Sequence, residues 1–361
     1  MIAGVHPGPC SIVDASNQEA PRPLLHRARQ PEHSFSRPGL GDDIMVNWFQ
    51  PPLQTKVEYR QGDTIIAVPA KSGTTWTMNI FHQLKTGGDP DFKDIYAEVP
   101  WSEFKEGPDQ PDEELLERWK KMPADVPRAF KTHSSPGPEG TPLPEMGCFA
   151  TYREDLKYIV VMRNPEEAIV SFKPFIESHN PKAFEYWGEP EMREKFLKPT
   201  FQAFFDECVL PGFPNMPPEI VPPGGLLTML FFGFVNGWWP LRNKPNVLFL
   251  HFSEMKADHE GSVRKIAKHC GFEPTEEQWP KILEYTSFAW MKENQAKFEV
   301  GTLMPFPFIL PGGMVRKGAQ GKAAEDGMSP EIQAVIKDWA EKMVPDEAAR
   351  KWLFEGGALP P

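Results

Sequence analysis

The chain has 361 residues, with 39 Lys and Arg against 50 Asp and Glu and a net charge of −11. That length accommodates a large α/β core, and the acidic balance excludes a general nucleic-acid binder, whose affinity would rest on clustered Lys and Arg. Forty-one prolines are about twice the usual share, yet 25% charged residues and 26 phenylalanines belong to a folded chain with many stiff connections, not a disordered one.

In chain order, residues 1–45 hold Pro, Ser, His and Arg without period and are expected to form an extended or disordered arm, followed by a single domain over 46–361. No basic stretch leading into a long apolar run opens the chain, so no secretory signal is expected. Thr64-Ile65-Ile66-Ala67-Val68 is short and β-branched, which predicts a strand buried on both faces. Arg128-Ala129-Phe130, Lys157 to Met162 and Asn246 to Leu250 are read as three more strands, the first of them shorter.

Helices are expected between them. Glu166 to Phe175 follows Asn164-Pro165, an N-cap residue with proline at the first helical position. Ile220 to Leu241 carries no charge, but Pro222-Pro223-Gly224-Gly225 leaves about 16 helix-compatible residues, fewer than the ~20 a membrane span needs. A buried core helix is expected there, and no membrane association. Glu260 to Cys270 puts Val263, Ile266, Ala267 and Cys270 on one face before Gly271, and Ser329-Pro330 opens another amphipathic helix. Strands alternating with helices predict a P-loop-like, doubly wound parallel α/β sheet flanked by helices in one domain. Cys10, Cys148, Cys208 and Cys270 are scattered without a CxxC pair, so reduced thiols and a cytoplasmic location are expected, and no metal site.

The segment Lys71-Ser72-Gly73-Thr74-Thr75-Trp76 lies where the first strand turns into a helix. Consecutive backbone N–H groups and a helix N-terminus at such a turn form an anion cradle. Gly73 allows close approach, Ser72, Thr74 and Thr75 add hydroxyls, and Lys71 adds a charge. The alternative is a capped helix start with a surface lysine. The order differs from GxxxxGK[ST], since the lysine precedes the glycine.

These residues resemble the 5′-phosphosulfate loop of the cytosolic sulfotransferase family, whose members take a sulfuryl group from 3′-phosphoadenosine-5′-phosphosulfate (PAPS) and release adenosine 3′,5′-bisphosphate (PAP). Further motifs follow in that family's order. Lys131-Thr132-His133 resembles its Lys-Thr-His, Arg163 with Ser171 eight residues on resembles its 3′-phosphate segment, and Arg316-Lys317-Gly318 resembles its late Arg-Lys-Gly. Thr286-Ser287-Phe288 is similar to an adenine-contact segment, and the resemblance covers about residues 55–322.

The resemblance implies His133 as general base, Lys71 at the bridging oxygen and Lys131 at the transferred group. It further implies a donor site made of Lys71, Ser72, Gly73, Thr74, Thr75, Trp76, Arg163, Ser171, Thr286, Phe288, Arg316, Lys317 and Gly318. From the residues alone, the alternatives to these roles are Arg163 as an ion-pair partner of Glu166 or Glu167, Arg316-Lys317 as a solvated basic turn, and Trp76 as a core residue. Trp101, Phe104, Phe175 and Phe234 are expected as walls for a small organic acceptor, although each is also a plausible core residue. Phe172, Trp187 and Phe231 belong to the same set, and Glu103, Glu177 or Glu185 is a further candidate for recognising a cationic acceptor.

Two departures from the family pattern bear on assembly and nucleotide contact. In the stretch that resembles its dimerisation segment, Lys322 and Glu331 keep their spacing but Asp326 and Gly327 replace Thr-Val, so a monomer or weak homodimer is expected. Thr228 stands where the family often has a tyrosine. The competing readings are a P-loop-like nucleotide-dependent kinase and a non-catalytic nucleotide-binding protein.

Overall fold

The computed structural model describes residues 48–137, 140, 148–214, 216, 218–318 and 321–360, all within one compact unit. The expected N-terminal arm and Cys10 lie outside the described residues. Four strands form the sheet: β1 (Thr64–Ala67), β2 (Ala129–Thr132), β3 (Lys157–Met162) and β4 (Val247–His251). They run parallel in the order β2-β1-β3-β4, with Ile65 beside both Phe130 and Tyr158. Nearly every strand residue is buried, as expected for a parallel sheet covered on both faces.

The end of the sheet away from the loops is pinned by a buried ion pair. Arg128, just before β2, donates from Nε to Asp63 Oδ1 at 3.0 Å, with a second guanidinium bond to the same carboxylate. The opposite, C-terminal ends of the strands carry the loops, where open α/β sheets bind ligands.

Helix boundaries follow local chemistry. Asn164 accepts the Glu166 N–H at 2.8 Å and Pro165 starts the helix Pro165–Glu177. Asp258 caps His259–Cys270 through the Gly261 N–H, and Gly271 at φ 78° ends it in the left-handed region. Ser329 caps Pro330–Met343. The Ile220 to Leu241 stretch differs from the single core helix expected. After the turn at Gly224 and Gly225 it winds first as a π-helical segment, Thr228–Phe232, then as α-helix Gly233–Trp238, and closes as the 3-10 turn Trp239–Leu241. The Thr228 hydroxyl bonds back to the Pro223 carbonyl at 2.5 Å, tying the wide turn to the proline pair. Among the described residues, no helix is long and apolar enough to cross a membrane.

Candidate active site

The loop after β1 is shaped by two residues in the left-handed region, Lys71 at φ 61° and Gly73 at φ 101°. Glycine adopts this without cost, whereas a lysine held there stores about 1–3 kcal/mol of strain. At Gly73 a side chain would also press on Phe252, 2.9 Å from the position of its Cβ. The helix Thr74–Thr86 starts immediately, so its N-terminus opens at the loop.

Around this loop gathers a cavity of about 400 Å³. Lys71, Gly73, Thr74, Thr75, Trp76, Arg163, Ser171, Phe288, Arg316, Lys317 and Gly318 line one part, and Lys131, His133, Trp101 and Phe175 line another. Lys71 Nζ lies 4.2 Å from the Phe175 ring centre. Burial, with Arg316 and Arg163 adding repulsion, pushes the Lys71 ammonium down to about 7.

Arg163 stands just past the end of β3 and donates from Nη1 to the Lys71 carbonyl at 3.0 Å. Its Nε and Nη2 reach Glu167 Oε2 at 3.3 and 2.9 Å, the i,i+4 ion pair that the sequence leaves open. Glu167 also accepts the Gly321 N–H. Arg316 and Lys317 both contact the Asp326 carboxylate, at 3.2 and 2.5 Å. Arg163, Arg316 and Lys317 are thus held in place by carboxylates that a stronger anion has to displace or share.

His133 follows β2 directly. Its Nδ1 lies 2.6 Å from the Val68 carbonyl, which can only accept, so Nδ1 carries the proton and Nε2 presents a lone pair. Burial first, then Lys131 and Lys71, hold the imidazole well below its usual range despite the Val68 bond. The backbone of His133 is anchored through its N–H to Glu103 Oε2 at 2.7 Å. Glu103 is fully buried and also accepts from Gln54, Thr132, Ser134 and the Trp101 indole. It organises the wall behind His133 and is not among the cavity-lining residues, so it does not face an acceptor.

Lys131 is buried with Nζ 2.9 Å from the Trp101 ring centre. Burial holds its ammonium well below the usual lysine range, against the attraction of Glu103. The bridge between Trp101 and Lys131 places the Pro100–Ser102 segment along the free edge of β2.

The match to the Sulfotransferase domain model runs over residues 61–349, most of the chain. The chain belongs to the sulfotransferase family, and it is a PAPS-dependent sulfotransferase. It is 27% identical to Sulfotransferase 2A6 of Rattus norvegicus over 80% of this chain and 87% of that one. It is 26% identical to a 3-alpha-hydroxysteroid sulfotransferase of Cavia porcellus over 81% and 87%. The fold matches that of mouse sulfotransferase SULT7A1, solved with PAP, at a TM-score of 0.59 and 22% identity over 86% and 96%.

Several side chains expected at the site do not line the cavity. Ser72 is fully buried and its hydroxyl turns back toward the Ala70 carbonyl at 3.5 Å, so the side chain does not line the cavity. Thr286 is buried too, its hydroxyl bonded to the Ile282 carbonyl at 2.7 Å and to His259 at 2.9 Å. Its contribution is a backbone carbonyl that accepts the Trp76 indole N–H at 2.8 Å. Phe104 is core behind the wall, stacked on Trp101 at 5.2 Å, and Phe234 is core against Trp238. Trp187 and Phe231 are likewise buried away from the cavity, whereas Phe172 lines it. Trp48, Tyr96, His179, Phe184 and Phe308 are wall residues that the sequence reading did not single out.

The stretch around Asp326 also has a physical account. Asp326 turns toward Arg316 and Lys317, Lys322 pairs with Glu325, and Gly327 sits at φ 101°, which a valine does not tolerate. Among the described residues, no group of three or more His, Cys, Asp or Glu side chains is arranged to hold a metal ion.

Proposed function

We propose that this enzyme moves the sulfuryl group of PAPS to a hydroxyl or amine of a small organic acceptor by in-line displacement, with His133 as general base. The observation that carries this reading is a single cavity with a cationic end at Lys71, Arg163, Arg316 and Lys317 and an aromatic end that contains the His133 lone pair. The cationic residues fit a nucleotide with separated anionic groups. Arginines donate bidentately to phosphate oxygens, and the loop N–H groups and Lys71 suit the phosphosulfate end.

Bound there, the donor supplies an activated sulfuryl group on a nucleotide leaving group. Every other element of the reaction belongs to the chain. His133 Nε2 takes the proton from the acceptor while the Val68 carbonyl holds Nδ1–H, so the imidazolium that forms stays oriented. Lys71, protonated when anions surround it, offsets charge growing on the bridging oxygen, and Lys131 supports the transferred group from the Trp101 face. Trp76 is fixed edge-on to Phe252 with its N–H satisfied, leaving a ring face of the kind on which an adenine stacks.

A cytoplasmic location is supported by Cys208 and Cys270, which form no disulfide among the described residues. A monomer or weak homodimer is supported by the Asp326-Gly327 turn, which engages its own chain. The test is thermal stabilisation by PAP compared with ATP, together with sulfate transfer from PAPS to a panel of phenols, alcohols and amines. Stabilisation by PAP and transfer that is lost in His133→Ala are expected. Stabilisation by ATP alone, or transfer unchanged in the variant, sinks the proposal.

A further inference from the structure

A second histidine faces the same cavity. His179 lies two residues past the helix Pro165–Glu177, where the chain forms an antiparallel bridge to Ile309. Its Nδ1 is 3.0 Å from the Phe175 carbonyl and 3.2 Å from the Ile176 carbonyl. Both are acceptors, so Nδ1 carries the proton and Nε2 holds a lone pair, the same tautomer as His133. Among the described residues Nε2 makes no hydrogen bond, although the ring is buried.

The surroundings are apolar. Phe175, Phe308 and Phe184 lie with ring centres 4.7, 4.9 and 6.1 Å from the imidazole, and Trp48 stacks at 6.3 Å. The Phe175 ring contacts both groups, with its centre 4.7 Å from the imidazole and 4.2 Å from Lys71 Nζ. Nε2 opens onto the cavity, so a ligand that fills this aromatic slot displaces water from the lone pair, and only a ligand group that donates to it replaces the lost hydrogen bond.

We propose that His179 selects the acceptor, requiring a ring-bodied molecule that carries a second hydrogen-bond donor, a hydroxyl or N–H, besides the group that is sulfated. An ether or ketone at that point sets lone pair against lone pair and is rejected. Burial pushes the imidazole down to about 4, so it stays neutral across the working range. The helix carbonyls do not depend on the imidazole. Phe175 O also takes the Ser178 hydroxyl at 2.6 Å, and Ile176 O takes the His179 backbone N–H at 3.1 Å. This inference rests on the reading of the cavity given under Proposed function.

The test reads binding without turnover. The PAP-loaded protein is titrated with three diols of increasing length and their mono-methyl ethers: hydroquinone, 2,6-dihydroxynaphthalene and 4,4′-dihydroxybiphenyl, each against the ether that keeps one free hydroxyl. In the wild type at least one pair should differ by about tenfold or more in favour of the diol. In His179→Leu the difference should shrink to within about threefold. His179→Gln, whose amide offers both an acceptor and a donor, should accept diol and ether alike. No gap in any wild-type pair, or a gap that persists in either variant, overturns the inference, as does a uniform weakening of all ligands with a lowered Tm. Sulfate transfer without a binding gap sinks only the role of His179, whereas absence of PAP binding sinks the wider functional reading.

Discussion

The two ends of the cavity are built on different plans. At the cationic end, Lys71 and Arg163 follow β1 and β3, and the strand ends fix them through backbone geometry and ion pairs. At the aromatic end, Trp48 and Phe308 come from loops and Phe184 from the short helix Pro181–Tyr186, and Trp48 joins them by ring packing. Charge placed at strand ends gives a fixed chemistry; rings placed by loops and a short helix give an adjustable shape. The first plan suits a rigidly held donor and the second an acceptor whose shape the wall has to fit.

Substitutions at the two ends should therefore differ in kind as well as in size. His133→Ala should lower kcat by about 10²–10⁴ with PAP affinity unchanged, as measured by single-turnover transfer and PAP titration. Lys71→Met should lower kcat by about 10²–10³, and an unaltered rate in this variant would remove Lys71 from the chemistry. Arg316→Ala should weaken PAP binding by about 10- to 100-fold while hardly affecting acceptor preference, which calorimetric titration of both ligands checks.

The pH dependence should be asymmetric. The His133 imidazole is held well below its usual range, so the acid limb of kcat should fall well below the ordinary histidine value of about 6.5. Lys71 sits at about 7 in the free enzyme and gains a proton when an anion arrives. Binding of PAP should therefore take up a proton above pH 7, with affinity falling by at most about tenfold per pH unit as pH rises from there. In the donor-free enzyme the unfolded chain binds more protons at this site between about 7 and 10.5, so this group makes stability rise with pH over that window. The smallest expected effect is that of Asp326→Asn, which releases Arg316 and Lys317. PAP affinity should rise by about two- to fivefold at low salt and the gain should vanish at high salt, whereas an unchanged affinity would show that the carboxylate does not compete.

The same division explains what could be read from the residues alone. The cavity positions of Lys71, Gly73 to Trp76, Lys131, His133 and Arg163 were legible because groups placed at strand ends leave contiguous motifs beside β-branched runs. All four strands were legible for the same reason. Phe104 and Phe234 were not, because an aromatic residue in a connection looks identical whether it forms the wall or backs it. Phe104 lies one ring behind the surface, flat against Trp101. His179 left no signal in spacing, since its role depends on an antiparallel bridge to Ile309, 130 positions away. The π-helical turn at Thr228–Phe232 was hidden likewise, because periodicity does not separate one extra residue per turn in a run that is apolar throughout.

The guanidinium of Arg163 joins three pieces of chain: it holds the Lys71 carbonyl, and through Glu167 it reaches the Gly321 amide. A lysine at 163 would keep the charge yet could not serve the carbonyl, the carboxylate and a phosphate together, because its single head lacks the fork. In the proposed binding mode the two ends of a bound nucleotide share this one structural member, so a change at Arg163 should move both affinities. An acidic protein can hold a polyanion on such terms, because joints of this kind put a few cations where they act and make the sign of the whole irrelevant.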